Sequence, residues 1–168
     1  MWVPLDRDLS QIDADGAAVA AGASGWARPE DVETATSTGN NKGGQQVLYV
    51  DVTGENLVLR VELDGDRAFV SNYVHDIPGM SDPDNLALDP HGNLYITEDN
   101  GPGDIWVARA GQGGALVAEE VVRFASLADC AAEPTGIYFD RNGKTLFVHV
   151  QHAGGVLQND LTVAITKE

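Results

Sequence analysis

Pro83-Asp84-Asn85-Leu86-Ala87-Leu88-Asp89-Pro90-His91-Gly92-Asn93 runs into Leu94-Tyr95-Ile96. Further on, Pro134-Thr135-Gly136-Ile137-Tyr138-Phe139-Asp140-Arg141-Asn142-Gly143-Lys144-Thr145 runs into Leu146-Phe147-Val148. Both stretches have the same parts in the same order: a Pro, a short apolar strand, an Asp, a Gly turn and a second apolar strand. Pro83 and Pro134 stand 51 residues apart, and so do Asp89 and Asp140. Upstream, Pro29 precedes Pro83 by 54 residues. It is followed by Glu30-Asp31-Val32 and, after a Gly/Asn-rich loop from Gly39 to Gly44, by Val47-Leu48-Tyr49-Val50. A repeat of roughly 50 residues holding about four strands is the signature of a β-propeller blade. A β-sandwich with coincidental turns would not repeat both the spacing and the residue order.

The strands read outward from this repeat. Gln46–Val52, Asn56–Leu63, Arg67–Val74, Leu86–Asp89, Asn93–Thr97, Asp104–Arg109, Leu116–Phe124, Gly136–Phe139, Thr145–Val150 and Leu161–Thr166 are short and rich in Val, Leu, Tyr and Phe. They are bounded by Gly, Asn and Asp, as strands are. Leu57, Leu59, Val61 and Leu63 alternate with Val58, Arg60 and Glu62, the period of a half-buried antiparallel strand. Asn142-Gly143 between two apolar runs is a hairpin signal. Residues 1–25 form an N-terminal segment, a loop or short helix, in which Asp13-Ala14-Asp15-Gly16 reads as a turn and Ala17–Ala21 as a helical turn or two. The expected architecture is all-β: a partial propeller over residues 26–168. At about 50 residues per blade, 168 residues make about three blades, half of a six-bladed ring.

Composition narrows the function. With 26 Asp and Glu against 10 Lys and Arg, the chain carries a formal net charge of −16. A nucleic-acid binder needs Lys and Arg to displace counterions from phosphates, so that class is excluded. An anionic membrane surface is disfavoured for the same reason. The lone Cys130 excludes a disulfide framework and any Cys-rich zinc site. No run approaches the ~18 apolar residues of a membrane helix. Asp6, Asp8, Asp13 and Asp15 stand where an export signal would carry basic charge, so none is read in this chain.

The repeat puts acids at the start of each unit's first strand: Glu30 after Pro29, Asp84 after Pro83 and Glu133 just before Pro134. First strands line the channel of a propeller, so these carboxylates are expected to converge at one end of the axis. Clustered carboxylates repel unless a cation lies among them, and hard oxygen ligands favour Ca²⁺, Mg²⁺, Mn²⁺ or Fe³⁺. Arg28 shares that mouth. It is suited either to bind a phosphate or to neutralise Glu30. Weaker candidates are Asn85, Glu98 and Asp99, the latter two read as a ligand or a turn. His152, past a strand end, is a ligand or proton carrier or an ordinary surface residue.

These residues carry a resemblance. Trp26-Ala27-Arg28-Pro29-Glu30-Asp31-Val32-Glu33, Ser81-Asp82-Pro83-Asp84-Asn85-Leu86, Gly92-Asn93-Leu94-Tyr95, Glu133-Pro134-Thr135-Gly136 and Leu146-Phe147-Val148-His149-Val150-Gln151-His152 together resemble the C-terminal part of the PhoX-type alkaline phosphatases. The resemblance implies a six-bladed propeller with central iron and calcium ions that hydrolyses phosphomonoesters. It also implies export to the periplasm or beyond. By motif, Glu30, Asp84 and Glu133 would hold metal and Arg28 would contact the substrate phosphate, with His152 and Asn85 also matching the pattern. Family members are much longer, and their N-terminal half supplies further cluster ligands without a counterpart in this sequence. Two more features depart from the pattern. The family's usual Gln-His-Pro-Gly is Gln151-His152-Ala153-Gly154 here, and Cys130 lies in the wrong part of the chain to be the family's iron-bridging Cys. Two alternatives follow. One is a non-catalytic half-propeller completed by a second copy or by a missing N-terminal half. The other is a calcium-dependent lactonase-type hydrolase, which Pro83-Asp84-Asn85, Asp89 and Gly92-Asn93-Leu94-Tyr95 also resemble.

Overall fold

The computed structural model describes residues 3–35, 46–154 and 160–166, so the Gly39–Gly44 loop lies outside the described residues. Three antiparallel sheets follow one another along the chain. The first holds β1 (Pro29–Ala35), β2 (Gln46–Val52), β3 (Leu57–Asp64) and β4 (Arg67–Val74). The second holds β5 (Pro83–Leu88), β6 (Leu94–Glu98), β7 (Asp104–Arg109) and β8 (Glu120–Ser126). The third holds β9 (Glu133–Phe139), β10 (Thr145–Gln151) and β11 (Leu161–Thr166). Each strand pairs with its chain neighbour, so each sheet is a meander and a propeller-like blade. The blades form an open arc rather than a closed barrel.

The repeated Asp residues make the turns. Asp89 Oδ1 accepts from the backbone N–H groups of His91 and Asn93, both at 2.8 Å. Asp140 Oδ1 accepts from those of Lys144 and Thr145, at 2.7 and 3.2 Å. An Asp whose side chain bonds the backbone just ahead pins a tight reversal. Gly143, at φ 64°, completes the second turn. A Cβ there would also lie 2.1 Å from the ring of Pro90, where the turn of one blade presses on the turn of the next.

Two apolar seams join the blades. Val47, Tyr49, Val58, Tyr73 and Met80 pack against Leu86, Leu94, Ile96 and Trp106 of the second blade. Ala87 and Ile105 pack against Ile137, Leu146 and Val148 of the third, and Tyr95 lies edge-on to Phe124 and Phe139 at 5.3 and 4.8 Å. The inner strands β1, β5 and β9 lie side by side. Side chains clasp them together: Asp31 Oδ2 accepts from Leu86 N (2.8 Å), and Asn85 Oδ1 accepts from Gly136 N (2.6 Å) and Thr135 Oγ1 (3.1 Å).

Three expectations need correction. Asp13–Gly16 is no free turn: Asp13 accepts from Gly16 N at 2.9 Å and caps the helix Ala14–Ala20, which follows a second short helix, Arg7–Ile12. An Asp ahead of an Ala-rich run satisfies the unpaired amides of a first turn. β8 starts at Glu120 rather than Leu116, because Leu116 O is taken by Ser71 Oγ and Ala118 N donates to Tyr73 O instead of joining a ladder. β1 was not among the expected strands.

Candidate functional site

Every inner strand is irregular near its start. The pairing register shifts between Pro29 and Val32 in β1 and between Pro83 and Leu86 in β5. In β9 it shifts opposite Val148 and His149, leaving Gly136 unpaired at φ 51°. A bulge re-aims side chains that regular pleating would send into the seams. Glu30 and Asp31 occupy the first bulge, Asp84 and Asn85 the second. The residues just before the two prolines, Arg28 (φ 56°) and Asp82 (φ 48°), have left-handed backbones, a strained conformation for side-chain-bearing residues. Tertiary bonds hold them there: Thr53 N donates to Arg28 O (3.0 Å), Asp82 N to Asn56 Oδ1 (2.7 Å), and Asp99 N to Asp82 O (2.7 Å).

The bulges bring four of the anticipated residues together. Arg28 Nη2 reaches Asp99 Oδ2 at 2.6 Å and Glu30 Oε1 at 2.8 Å. Those two bonds raise the guanidinium above its ordinary value, so Arg28 is a permanent cation. Asp84 lies beside them. Burial pushes its carboxyl up to about 7, and a hydrogen bond to Glu30 together with the charges of Glu30, Asp99 and Asp51 pushes the same way. Asp84 is therefore far easier to protonate than an ordinary aspartate.

Asp51, which the sequence reading did not single out, lies beneath. It is fully buried, accepts from Asp31 N (2.6 Å) and Thr53 Oγ1 (3.3 Å), and is itself pushed up to about 7 by burial. Its only signal in the sequence is one Asp between Val50 and Val52 in an otherwise apolar strand.

The other candidates stand apart from this cluster. Glu98 is buried and accepts from Ser81 N (2.8 Å), Trp106 Nε1 (2.9 Å) and Asp104 N (3.0 Å), so its oxygens hold the second blade together. Asn85 is engaged in the clasp to β9. Glu133 precedes its proline, so in register it matches Arg28 and Asp82. The residue matching Glu30 and Asp84 is Thr135. Glu133 Oε1 accepts from Gln151 Nε2 within the third blade. His152 is exposed past β10, with a left-handed backbone (φ 61°) whose N–H donates to Asp160 Oδ1 at 3.2 Å. The thiol of Cys130 is free and exposed. Among the described residues, no three Asp, Glu, His or Cys side chains are grouped so as to hold one metal ion.

No curated protein matches the chain in sequence. One family does. The sequence model of alkaline phosphatase PhoX matches residues 61–154, more than half of the 168. That span includes Asp84, Asn85, Glu98, Asp99, Glu133 and His152. Arg28 and Glu30 lie before it. With the meander blades and the acidic mouth beside this match, the chain belongs to the alkaline phosphatase PhoX family.

Proposed function

We infer that this chain contributes a cation-dependent phosphomonoester hydrolase site at the mouth formed by the β1 and β5 bulges. Family membership supports a phosphatase-type function in general. The observation that carries the finer reading is the Glu30–Asp84 contact, with Arg28 fixed beside it. Glu30 already has Arg28 at 2.8 Å, while Asp84 beside it has burial and neighbouring carboxylates driving it toward its neutral form, so a cation at this mouth would relieve the repulsion that remains.

The residues fit such an ion in part. Glu30 and Asp84 are adjacent hard oxygen donors of the kind calcium and ferric ions take. Asp99 is linked to them through Arg28. Glu133 would join only after leaving Gln151. When bound, a cation there supplies Lewis-acid polarisation of a phosphate oxygen and an acidified water.

The chain's own residues do the rest. Arg28 exchanges its two carboxylate partners for two phosphate oxygens, a bidentate geometry a guanidinium suits. In that place it stabilises the charge that spreads over the equatorial oxygens as the ester bond breaks. Asp51 fixes Asp31 through the bond from Asp31 N, and burial favours its neutral form, which keeps a further negative charge from the mouth. His152 is proposed as a second catalytic group on the strength of its place in the family match. Family membership likewise underlies the proposal that the protein works in the periplasm or outside the cell. No helix among the described residues is long and apolar enough to cross a membrane.

The test is hydrolysis of a chromogenic phosphomonoester with calcium and iron supplied, alongside metal analysis of the purified chain. The Glu30→Gln, Asp84→Asn double variant is expected to lose both bound metal and turnover. Unchanged metal content in that variant would refute the site. Lactone opening without phosphate release would move the reading to the lactonase type.

A further inference from the structure

The β1 and β5 bulges each have two ends, and the end of β2 with the residue after it ties down all four. At the entry ends, Thr53 N donates to Arg28 O (3.0 Å) and Thr53 Oγ1 donates to Pro83 O (2.7 Å). At the exit ends, Asp51 Oδ1 accepts from Asp31 N (2.6 Å), and Asp31 Oδ2 accepts from Leu86 N (2.8 Å). Thr53 Oγ1 also lies 3.3 Å from Asp51 Oδ2, which closes the circuit. Glu30 and Asp84 stand inside it, one in each bulge. Thr53 is 1% exposed and Asp51 is fully buried, so bulk water does not compete for these bonds.

The hydroxyl of Thr53 is the part of this circuit that the repeat does not require. Pro29 pairs with Val52, Pro83 with Glu98 and Pro134 with Val150, which makes the next residues, Thr53, Asp99 and Gln151, equivalent. Asp99 N holds the carbonyl of Asp82 at 2.7 Å as Thr53 N holds that of Arg28. Securing the residue before the proline therefore takes only an amide. The side chains at this position diverge. Asp99 reaches back to Arg28, and Gln151 donates to Glu133 within its own blade. Thr53 reaches forward into the next blade and ends on the carbonyl directly ahead of Asp84. Because a peptide unit is planar, a bond on that carbonyl fixes the plane from which the Asp84 residue departs.

We propose that Thr53 is a positioning residue: its hydroxyl fixes the Pro83–Asp84 peptide and thereby holds the Asp84 carboxyl close enough to Glu30 for one cation to bind both. Two carboxylates repel, and without a brace in the backbone beneath them they separate when no ion is bound. Bracing them beforehand leaves less for the ion to organise. The inference rests on the cation site proposed above and adds the residue that sets its geometry.

The test compares Thr53→Val, which keeps the shape and loses the hydroxyl, with Thr53→Ser, which keeps the hydroxyl and loses the methyl. The first leaves the Pro83 carbonyl without its donor and the second leaves a small void, so both should lower the unfolding midpoint. Far-ultraviolet circular dichroism first establishes that both are folded. Calcium alone, titrated by calorimetry, is expected to bind Thr53→Val at least about tenfold more weakly than the unsubstituted chain, and Thr53→Ser within about twofold of it. In calcium-free protein, amide exchange at Leu86, measured against the rest of the second blade, should quicken by roughly tenfold in Thr53→Val and stay near its original rate in Thr53→Ser. Unchanged calcium affinity in Thr53→Val, or losses in both variants that simply follow their stabilities, would overturn the proposal. An unsubstituted chain that binds no calcium refutes the cation site and this role with it. Calcium binding that depends on Thr53 as expected, without phosphate release, supports this role and refutes only the hydrolysis.

Discussion

Leu48 in the first blade and Leu94 in the second occupy the same place in the same repeat, yet one is half-buried and the other is sealed. The same contrast separates Val50 from Ile96, and Phe147 from Tyr49. What differs is the neighbour, not the residue. A blade's outer residues are chosen to meet another blade, and only the middle blade of three meets one on both faces.

The largest effect should therefore come from the middle blade. Leu94→Ala is expected to cost about 2–5 kcal/mol in denaturant unfolding, the range for a leucine removed from a packed interior. In dilute, low-salt solution Leu48→Ala should cost less than half as much. Equal costs would break the comparison. A Leu146→Ala cost close to that of Leu94→Ala would sharpen it, because Leu146 holds the same place under a preceding blade.

Next in size is a pH effect confined to the first two blades. Asp51 ionises at about 7 in the folded protein against 3.8 ordinarily. Between those values the folded chain holds a proton the unfolded chain has released. Stability should thus fall as pH rises from about 4 to about 7 and level off above, by up to roughly 4 kcal/mol in chelator. Asp51→Asn should flatten that slope, and an unaltered slope would show that the carboxyl ionises normally. Asp84 adds to the same slope until a cation replaces its proton.

Glu98→Gln, also in the middle blade, should cost about 1–3 kcal/mol, because the amide cannot accept all three donors and presents an N–H to one of them. The smallest stability change belongs to the exposed Arg28. Arg28→Ala should leave the unfolding midpoint nearly untouched while turnover of a phosphomonoester falls at least tenfold. A loss of stability without a loss of turnover would make Arg28 a mere partner of Glu30 and Asp99.

Much of the fold was legible from alternation and turns. β2, β4, β7 and β11 lie where their Val, Leu, Ile and Phe spacing puts them, and Asp89 and Asp140 mark the β5–β6 and β9–β10 turns. β1 was not, because Glu30, Asp31 and Glu33 interrupt any apolar period, and only the repeat from Pro29 reveals it. At the site, the repeat sets Glu30 and Asp84 in matching places, since both follow their proline and both fall in a bulge. Glu133 sits on the other side of its proline, two residues off that register. Glu98 shows another limit. A strand-ending acid looks the same in sequence whether its oxygens face solvent or three buried donors. Asp51 and the Arg28–Asp99 pair depend on contacts between sheets, which no local pattern encodes.

Each sheet is built from consecutive strands alone, since strands pair only with chain neighbours and successive blades are joined by side chains such as Asp31 and Asn85. Each blade is thus one continuous stretch of chain, a condition for blade-by-blade assembly as the chain leaves the ribosome. It also means that a gene can gain or lose one blade without rewiring any sheet, because a newly added unit needs only an aliphatic face, an aromatic face and one acceptor on its inner strand.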